Sequence, residues 1–420
     1  MALGFNTLLW SINPLSHQLD GLLVVWTGFL GVFFLCKNQW HRKDLHSITS
    51  KESTFQFWAI VLFFALVFRV QVLLAFPFLA DDYQRYLFDG KLILAGINPY
   101  AVQPLAFPEL GGAEIPKPDI KTIYPPLAEG LFTVAAWLGG TLWHWRLMNL
   151  IPDLLGAVVF YRLLNRHRLP GYWTVLWLWN PLILKEGLHA AHLDIWTLFA
   201  VLLFVYWAQQ GRLKAAALSL AAAVLLKLIP LVLLPVWLTQ LSSHRERLIA
   251  LGVISSVIAV GFAWFLPWHP FANLAVFLQH IQGYGVLFQV FQVFQNGFGL
   301  WDLDPEWSKW LLTSLGGALY LHWLLVLKRN PPKPTLCMLE FLVLLFVFSS
   351  MGFPWYLLAV LPWVLIQGYW LWILFVALTQ LNFYSHQVQI SSTAMTGMAV
   401  LVLLLAVYQQ AVLTEGERHD

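Results

Sequence analysis

The chain has 420 residues, of which 59% are hydrophobic, 16% aromatic and only 11% charged, with a formal net charge of +3. A soluble domain carries about 25% charged residues, so this chain cannot cover a water-facing surface of its own size, and both a soluble globular protein and a disordered one are excluded. Its apolar segments are continuous rather than alternating, which excludes a β-barrel and leaves an all-α polytopic membrane protein.

Residues 1–20 lack a basic start followed by a clean apolar core, so no cleavable leader is expected. Apolar stretches follow near 21–37, 55–79, 126–142, 147–164, 172–184, 195–210, 214–241, 248–266, 307–327, 336–367, 369–383 and 393–412. The stretch 213–241 holds Lys227 and Pro230 near its centre. It predicts two short helices meeting at a bend, because proline removes a backbone donor. The stretch 336–366 breaks in the same way at Gly352-Phe353-Pro354. The sum is a bundle of about 12–14 transmembrane helices, forming one integral membrane domain over the whole chain. Cys36 and Cys337 lie in or beside apolar stretches and read as buried small residues rather than a disulfide framework.

Basic residues orient the bundle. Arg42/Lys43/Lys51, Arg162/Arg166/Arg168, Arg212/Lys214, Arg245/Arg247 and Lys328/Arg329/Lys333 all fit the cytoplasmic side if 126–142 does not cross fully. That stretch is short and is read as a re-entrant or juxtamembrane helix. Two long polar connections, 80–125 and 267–306, then lie on the extracytoplasmic face, and connections this long are usually functional. The net charge comes from short basic clusters and points to no nucleic-acid partner. Arg69 and Asp153, charged residues within apolar stretches, are candidates to pair between helices.

The first connection opens with Asp81-Asp82-Tyr83-Gln84-Arg85. Two adjacent carboxylates at a membrane boundary are costly without a partner or a task. At helical spacing Asp82, Arg85 and Asp89 share a face. A plain helix start, with acids favouring the macrodipole, accounts for the same residues. Farther on, Asn180-Pro181 precedes His189, His192 and Asp194. This group fits a zinc or manganese site, a helix cap or a substrate site, and spacing does not choose among them. Lys227, just before Pro230, must reach water, a carboxylate or a phosphate. Pro354-Trp355-Tyr356 has the composition of an interfacial belt. The glutamine-rich run Gln279, Gln282, Gln289, Gln292 and Gln295 fits an amphipathic loop over a cleft.

The run DDYQRYLFDGKLILAGINPYA, followed by IYPPLAEGLF, resembles the first extracytoplasmic loop of GT-C glycosyltransferases. Among them it is similar to bacterial polyprenyl-phosphate-dependent mannosyltransferases and to the catalytic subunit of GPI mannosyltransferase I. In those families an acidic pair, often Asp-x-Asp, precedes a Tyr-containing helix, and Asp82 matches its second acid. Position 80 is Ala, so the other acid is the adjacent Asp81. The resemblance implies a GT-C-like bundle whose two outer loops bear juxtamembrane helices. It implies transfer of a hexose, with mannose favoured, from a polyprenyl-phosphate donor to a lipid-linked or glycan acceptor. The active site would face outward from a bacterial plasma membrane, and single displacement would invert the anomeric centre.

Asp82 is then the general base with Asp81 assisting. Lys227, aided by Arg85 or Lys121, would neutralise the donor phosphate. Tyr83, Asp89, Asn98, Tyr100, Tyr124, His189, His192, Asp194, Trp355 and Tyr356 are the expected substrate contacts. No cofactor is assigned; a divalent cation, Mg or Mn, stays open. The competing readings are a flippase for lipid-linked sugars, an O-antigen ligase or polymerase, and a non-catalytic assembly partner. Clustering of polar residues in the outer loops, rather than through the bundle centre, favours chemistry at one face over transport.

Overall fold

A computed structural model of the chain describes residues 15–41, 51–77, 81–280, 305–329, 353–368 and 370–387. The regular structure among them is helical throughout, as lipid requires of backbone that must satisfy its own polar groups. The helices are α1 (Leu15–His41), α2 (Lys51–Leu74), α3 (Asp82–Leu94), α4 (Pro126–Trp137), α5 (Leu142–Arg166), α6 (Val175–Leu178) and α7 (Asp194–Gln209). They continue with α8 (Leu213–Leu226), α9 (Leu233–Gln240), α10 (His244–Ala263), α11 (Pro270–His280), α12 (Pro305–Arg329), α13 (Leu361–Gln367) and α14 (Trp370–Gln387). Among the described residues, Phe55–Leu74, α5 and α10 are each long and apolar enough to cross a membrane. A fourth candidate is the pair Ile183–His189 and α7, bent by 117°. The expected stretch 393–412, the part of 336–367 before Phe353 and the part of the connection 267–306 from 281 to 304 lie outside the described residues, as do Cys337 and the glutamines of that run beyond 280.

Prolines set the breaks. α8 stops at Leu226 because Lys227 is extended (φ −154°, ψ 135°), and a short 3-10 turn, Ile229–Val232, carries Pro230 into α9. The bend expected from Pro230 is therefore present. The stretch 172–184 is apolar enough for a span but forms none. It divides into a 3-10 turn (Gly171–Thr174), α6 and a π-helical turn (Ile183–His189). Asn180 explains the division: its Oδ1 accepts from the backbone N–H of Leu182 (2.9 Å) and restarts the chain direction, while Pro181 offers no donor. α4 has 12 residues, a rise of about 18 Å against the roughly 30 Å of a hydrocarbon core.

α3 lies flat against α4, and α7 and α10 both pack on α8. Tyr86 of α3 stacks on Phe132 of α4 (4.6 Å, 7°), and Trp145 of α5 closes edge-on against both. Gly90 makes the approach feasible, since a Cβ there would stand 2.1 Å from the Phe132 carbonyl oxygen. At membrane depth Arg69 of α2 grips Asp153 of α5 with two bonds, Nε to Oδ2 (2.7 Å) and Nη2 to Oδ1 (2.9 Å). Its Nη1 donates to the carbonyls of Ala65 and Leu178. The expected interhelical pair is thus present and well satisfied, as a buried charge must be.

Candidate active site

Asp81 and Asp82 sit at the start of α3. Asp81 is the N-cap residue, but its side chain makes no capping bond. Asp82 is the first helical residue, with its side chain 34% exposed. The simplest account of this pair, acids placed to cap a helix, therefore does not describe Asp81. Burial pushes the Asp82 carboxyl up, yet the His192 contact and the charges of His192, Lys227 and Lys117 outweigh it and hold the group below its ordinary value. Asp81 goes the other way: burial and then the Asp82 charge raise it. Adjacent carboxyls pushed apart in this way suit different protonation roles.

His192 contacts Asp82 directly, and neighbouring segments join through further contacts. His192 lies between the π-helical turn and α7, with Nδ1 3.4 Å from Asp82 Oδ2 and Nε2 3.4 Å from Glu186 Oε2. Its ring stacks on Trp355 (4.0 Å, 19°), which stacks on Phe353 in turn (4.6 Å, 6°). Asp194, two residues on, accepts from Lys227 Nζ at 2.6 Å. That ammonium also lies 3.9 Å over the Tyr356 ring, a favourable cation–π placement. The break at Lys227 carries this contact, because the extended backbone there turns the side chain off the α8 axis. Asp82, His192, Asp194, Lys227, Trp355 and Tyr356 are thereby gathered from distant parts of the sequence. Tyr124 is half-buried beside them, its ring edge-on to Tyr86.

Other expected residues are engaged elsewhere. Arg85 points its Nε at both oxygens of Asp89 (2.9 Å each) and gives Nη1 to the Ile120 carbonyl (2.7 Å). This is a buried structural pair, and it takes both Arg85 and Asp89 away from phosphate and sugar binding. Beside them Glu129 accepts from Thr122 Oγ1 (2.7 Å). Burial, and then the Asp89 charge, raises Glu129 well above the ordinary range. Asn98 Oδ1 accepts from the Tyr100 backbone N–H (2.9 Å), and the Tyr100 hydroxyl donates to the Tyr124 carbonyl. These two residues shape the turn. Tyr83 is half-buried against the main core. Lys121 is half-buried in the extended run before α4 and forms no ion pair among the described residues. His189 is buried; its Nε2 meets the Phe76 carbonyl (2.8 Å) and its own carbonyl receives Arg146. Spacing had grouped His189 with His192 and Asp194, but the π-helical turn and the reversal after it separate them.

Two residues were passed over in the sequence. Glu186 reads there as one charge in an apolar run, and its only signal is that a buried acid needs a partner. The charge of Lys117 favours the ionised form of both Asp81 and Asp82. Among the described residues no three His, Cys, Asp or Glu side chains group to hold a metal ion. Asp82 faces His192, and Asp194 faces Lys227.

No curated protein and no solved structure matches the chain. Residues 7–243, more than half of the sequence, match the alpha-(1->6)-mannopyranosyltransferase N-terminal domain, and this segment holds α1 to α9 and, of the gathered cluster, Asp82, Glu186, His192, Asp194 and Lys227. An all-helical membrane protein in which Asp82, His192 and Lys227 converge within that matched region, the chain belongs to the alpha-(1->6)-mannopyranosyltransferase family.

Proposed function

We propose that the chain transfers mannose from a polyprenyl-phosphate donor to a glycan or glycolipid acceptor at the extracytoplasmic face, with Asp82 as general base. The observation that carries this reading is the gathering of a part-exposed Asp82 with His192, and of Lys227 with Asp194 two residues on. The acceptor hydroxyl oxygen attacks the anomeric carbon and gives its proton to Asp82. The bond from that carbon to the phosphate oxygen breaks, and the lipid phosphate leaves with the bonding pair. One displacement inverts the centre. Lys227 has three N–H donors; one goes to Asp194, and the others are available to the phosphate as its charge grows. A carboxylate held below its usual range stays ionised at neutral pH, as a base must before each turnover. The lipid tail remains in the bilayer, which suits an active site built at helix ends and breaks.

The test is mannose transfer by the purified full-length chain from radiolabelled polyprenyl-phosphate mannose, with Asp82→Asn alongside. Loss of a general base costs roughly 10²–10⁴-fold in rate. Full activity in Asp82→Asn would remove the base assignment. If the wild type consumes no donor yet moves lipid-linked sugar across proteoliposome bilayers, the protein is a flippase and the acids form a gate.

A further inference from the structure

Glu186 and the far nitrogen of His192 have no task in that mechanism. Both side chains are buried, and the chain of contacts they form does not end at the site. His192 Nδ1 faces Asp82 and Nε2 faces Glu186, each at 3.4 Å. Glu186 Oε1 accepts from Gln380 Nε2 of α14, and Gln380 Oε1 accepts from Trp26 Nε1 of α1 at 2.7 Å. Every member from His192 inward is 1% exposed or less. A buried imidazole between two carboxylates is favourable chiefly as the imidazolium, which balances them.

The ring is also fixed mechanically. The backbone N–H of His192 donates to the Glu186 carbonyl (2.9 Å). Ala191 before it takes a left-handed φ of 58°, a conformation costing a non-glycine residue about 1–2 kcal/mol. Trp145 Nε1 secures that strained residue through its carbonyl (2.7 Å). Trp355 covers the ring. A side chain so enclosed, with both nitrogens facing acids, is held in one orientation. Strain of this kind persists where surrounding structure over-determines it, commonly at functional sites.

We propose that His192, braced from behind by Glu186, is a positioning residue that pins Oδ2 of Asp82 and leaves Oδ1 for the acceptor hydroxyl. This rests on Asp82 being the base. Contacts of 3.4 Å are ion-pair distances, and catalytic contacts of this kind tighten when substrate binds. The other charged or titratable groups around the pair are Asp81, Lys117, Lys185, Asp194 and Lys227, with the phenols of Tyr86, Tyr124 and Tyr356. None of them contacts both Asp82 and Glu186 as His192 does among the described residues.

The experiment is the pH profile of transfer for wild type, His192→Gln and Glu186→Gln, using the full chain and polyprenyl-phosphate mannose. A misplaced base costs up to about 10²-fold. The expected result is kcat lowered on that scale, donor KM changed less than about threefold, and the acid limb moved up by about one pH unit in His192→Gln, because an imidazolium no longer favours the carboxylate. Glu186→Gln should shift the limb the same way, by less. A raised KM with an unmoved limb would make His192 a substrate ligand, and unchanged kinetics would make it packing alone; either overturns the proposal. A second measurement needs no folded His192 variant. The infrared carboxyl titration of wild type minus Asp82→Asn isolates Asp82, and a midpoint at or above about 3.9 would refute the pinning. Activity retained in Asp82→Asn would instead sink the base assignment, whatever that midpoint is.

Discussion

Gly90 couples the stability of the α3–α4 contact to the placement of Asp82, the proposed base. A Cβ at this position would meet the Phe132 carbonyl oxygen at 2.1 Å and its carbon at 2.5 Å, where real Cβ atoms essentially never come within 3.0 Å. Both obstacles are backbone, so no rotamer change relieves them. For Gly90→Ala the α3 and α4 backbones must separate by roughly 1 Å, and overpacking a close-packed contact costs about 1–3 kcal/mol. The separation loosens the Tyr86–Phe132 stack, which has a spacing of 4.6 Å. Because Asp82 begins the same helix, the strain also moves the base relative to His192. A displacement of about 1 Å at a reacting group can cost 10²-fold in rate. Gly130 on α4 supplies the control. It is helical with nothing within 4 Å of a Cβ, so Gly130→Ala should be neutral or stabilising by about 0.5–1 kcal/mol. The assays are thermal unfolding in detergent and initial transfer rates for both variants. Equal stability and equal activity of Gly90→Ala and Gly130→Ala would refute the close approach of α3 and α4.

Breaking the buried Arg69–Asp153 pair with Asp153→Asn should cost about 3–5 kcal/mol, whereas Arg69→Met with Asp153→Leu should recover much of it; denaturant melts of the two variants measure this, and a double variant no more stable than Asp153→Asn would contradict a direct pair. Lys227→Met should weaken use of the donor phosphate and lower kcat by about 10²-fold or more, while Arg85→Met should act through stability rather than donor affinity, because Arg85 is committed to Asp89 and Ile120. Donor titrations that rank the two variants the other way would reverse the phosphate assignment. Since Asp82 must be ionised to accept a proton and its carboxyl is held below its ordinary value, activity should persist into acid beyond the usual carboxylate range and fall only as pH drops through that lowered value. Asp81→Asn removes a neighbouring negative charge and should move the acid limb slightly further down. A limb that rises in Asp81→Asn would show that Asp81 does not act on Asp82 by charge.

Local chemistry made much of this protein legible in its sequence. Continuous apolar stretches and an 11% charged fraction leave only a helical membrane protein. Pro230 forces the break beside Lys227 wherever the surrounding helices lie, because a missing donor and a steric clash are properties of the residue itself. Arg69 and Asp153 each had to find a partner at membrane depth, and each was the other's best candidate. The acids at 81 and 82 were visible because two adjacent carboxylates at a membrane boundary call for an explanation.

The assignment of partners was decided by the tertiary structure. Helical spacing makes Arg85 equally available to Asp82 and Asp89, and burial against Ile120 gives it to Asp89. The segment 172–189 is apolar throughout its first part, yet the Asn180 side-chain bonds and a π-helical turn send His189 to Phe76 and His192 to Asp82. Glu186 carries no local motif at all. Its place behind His192 depends on α1 and α14 closing over it, through Trp26 and Gln380. Charge and hydropathy fix which residues need partners, because desolvation acts on each residue alone. Which partner each one gets depends on distances between segments far apart in the chain, and only the packed bundle sets those.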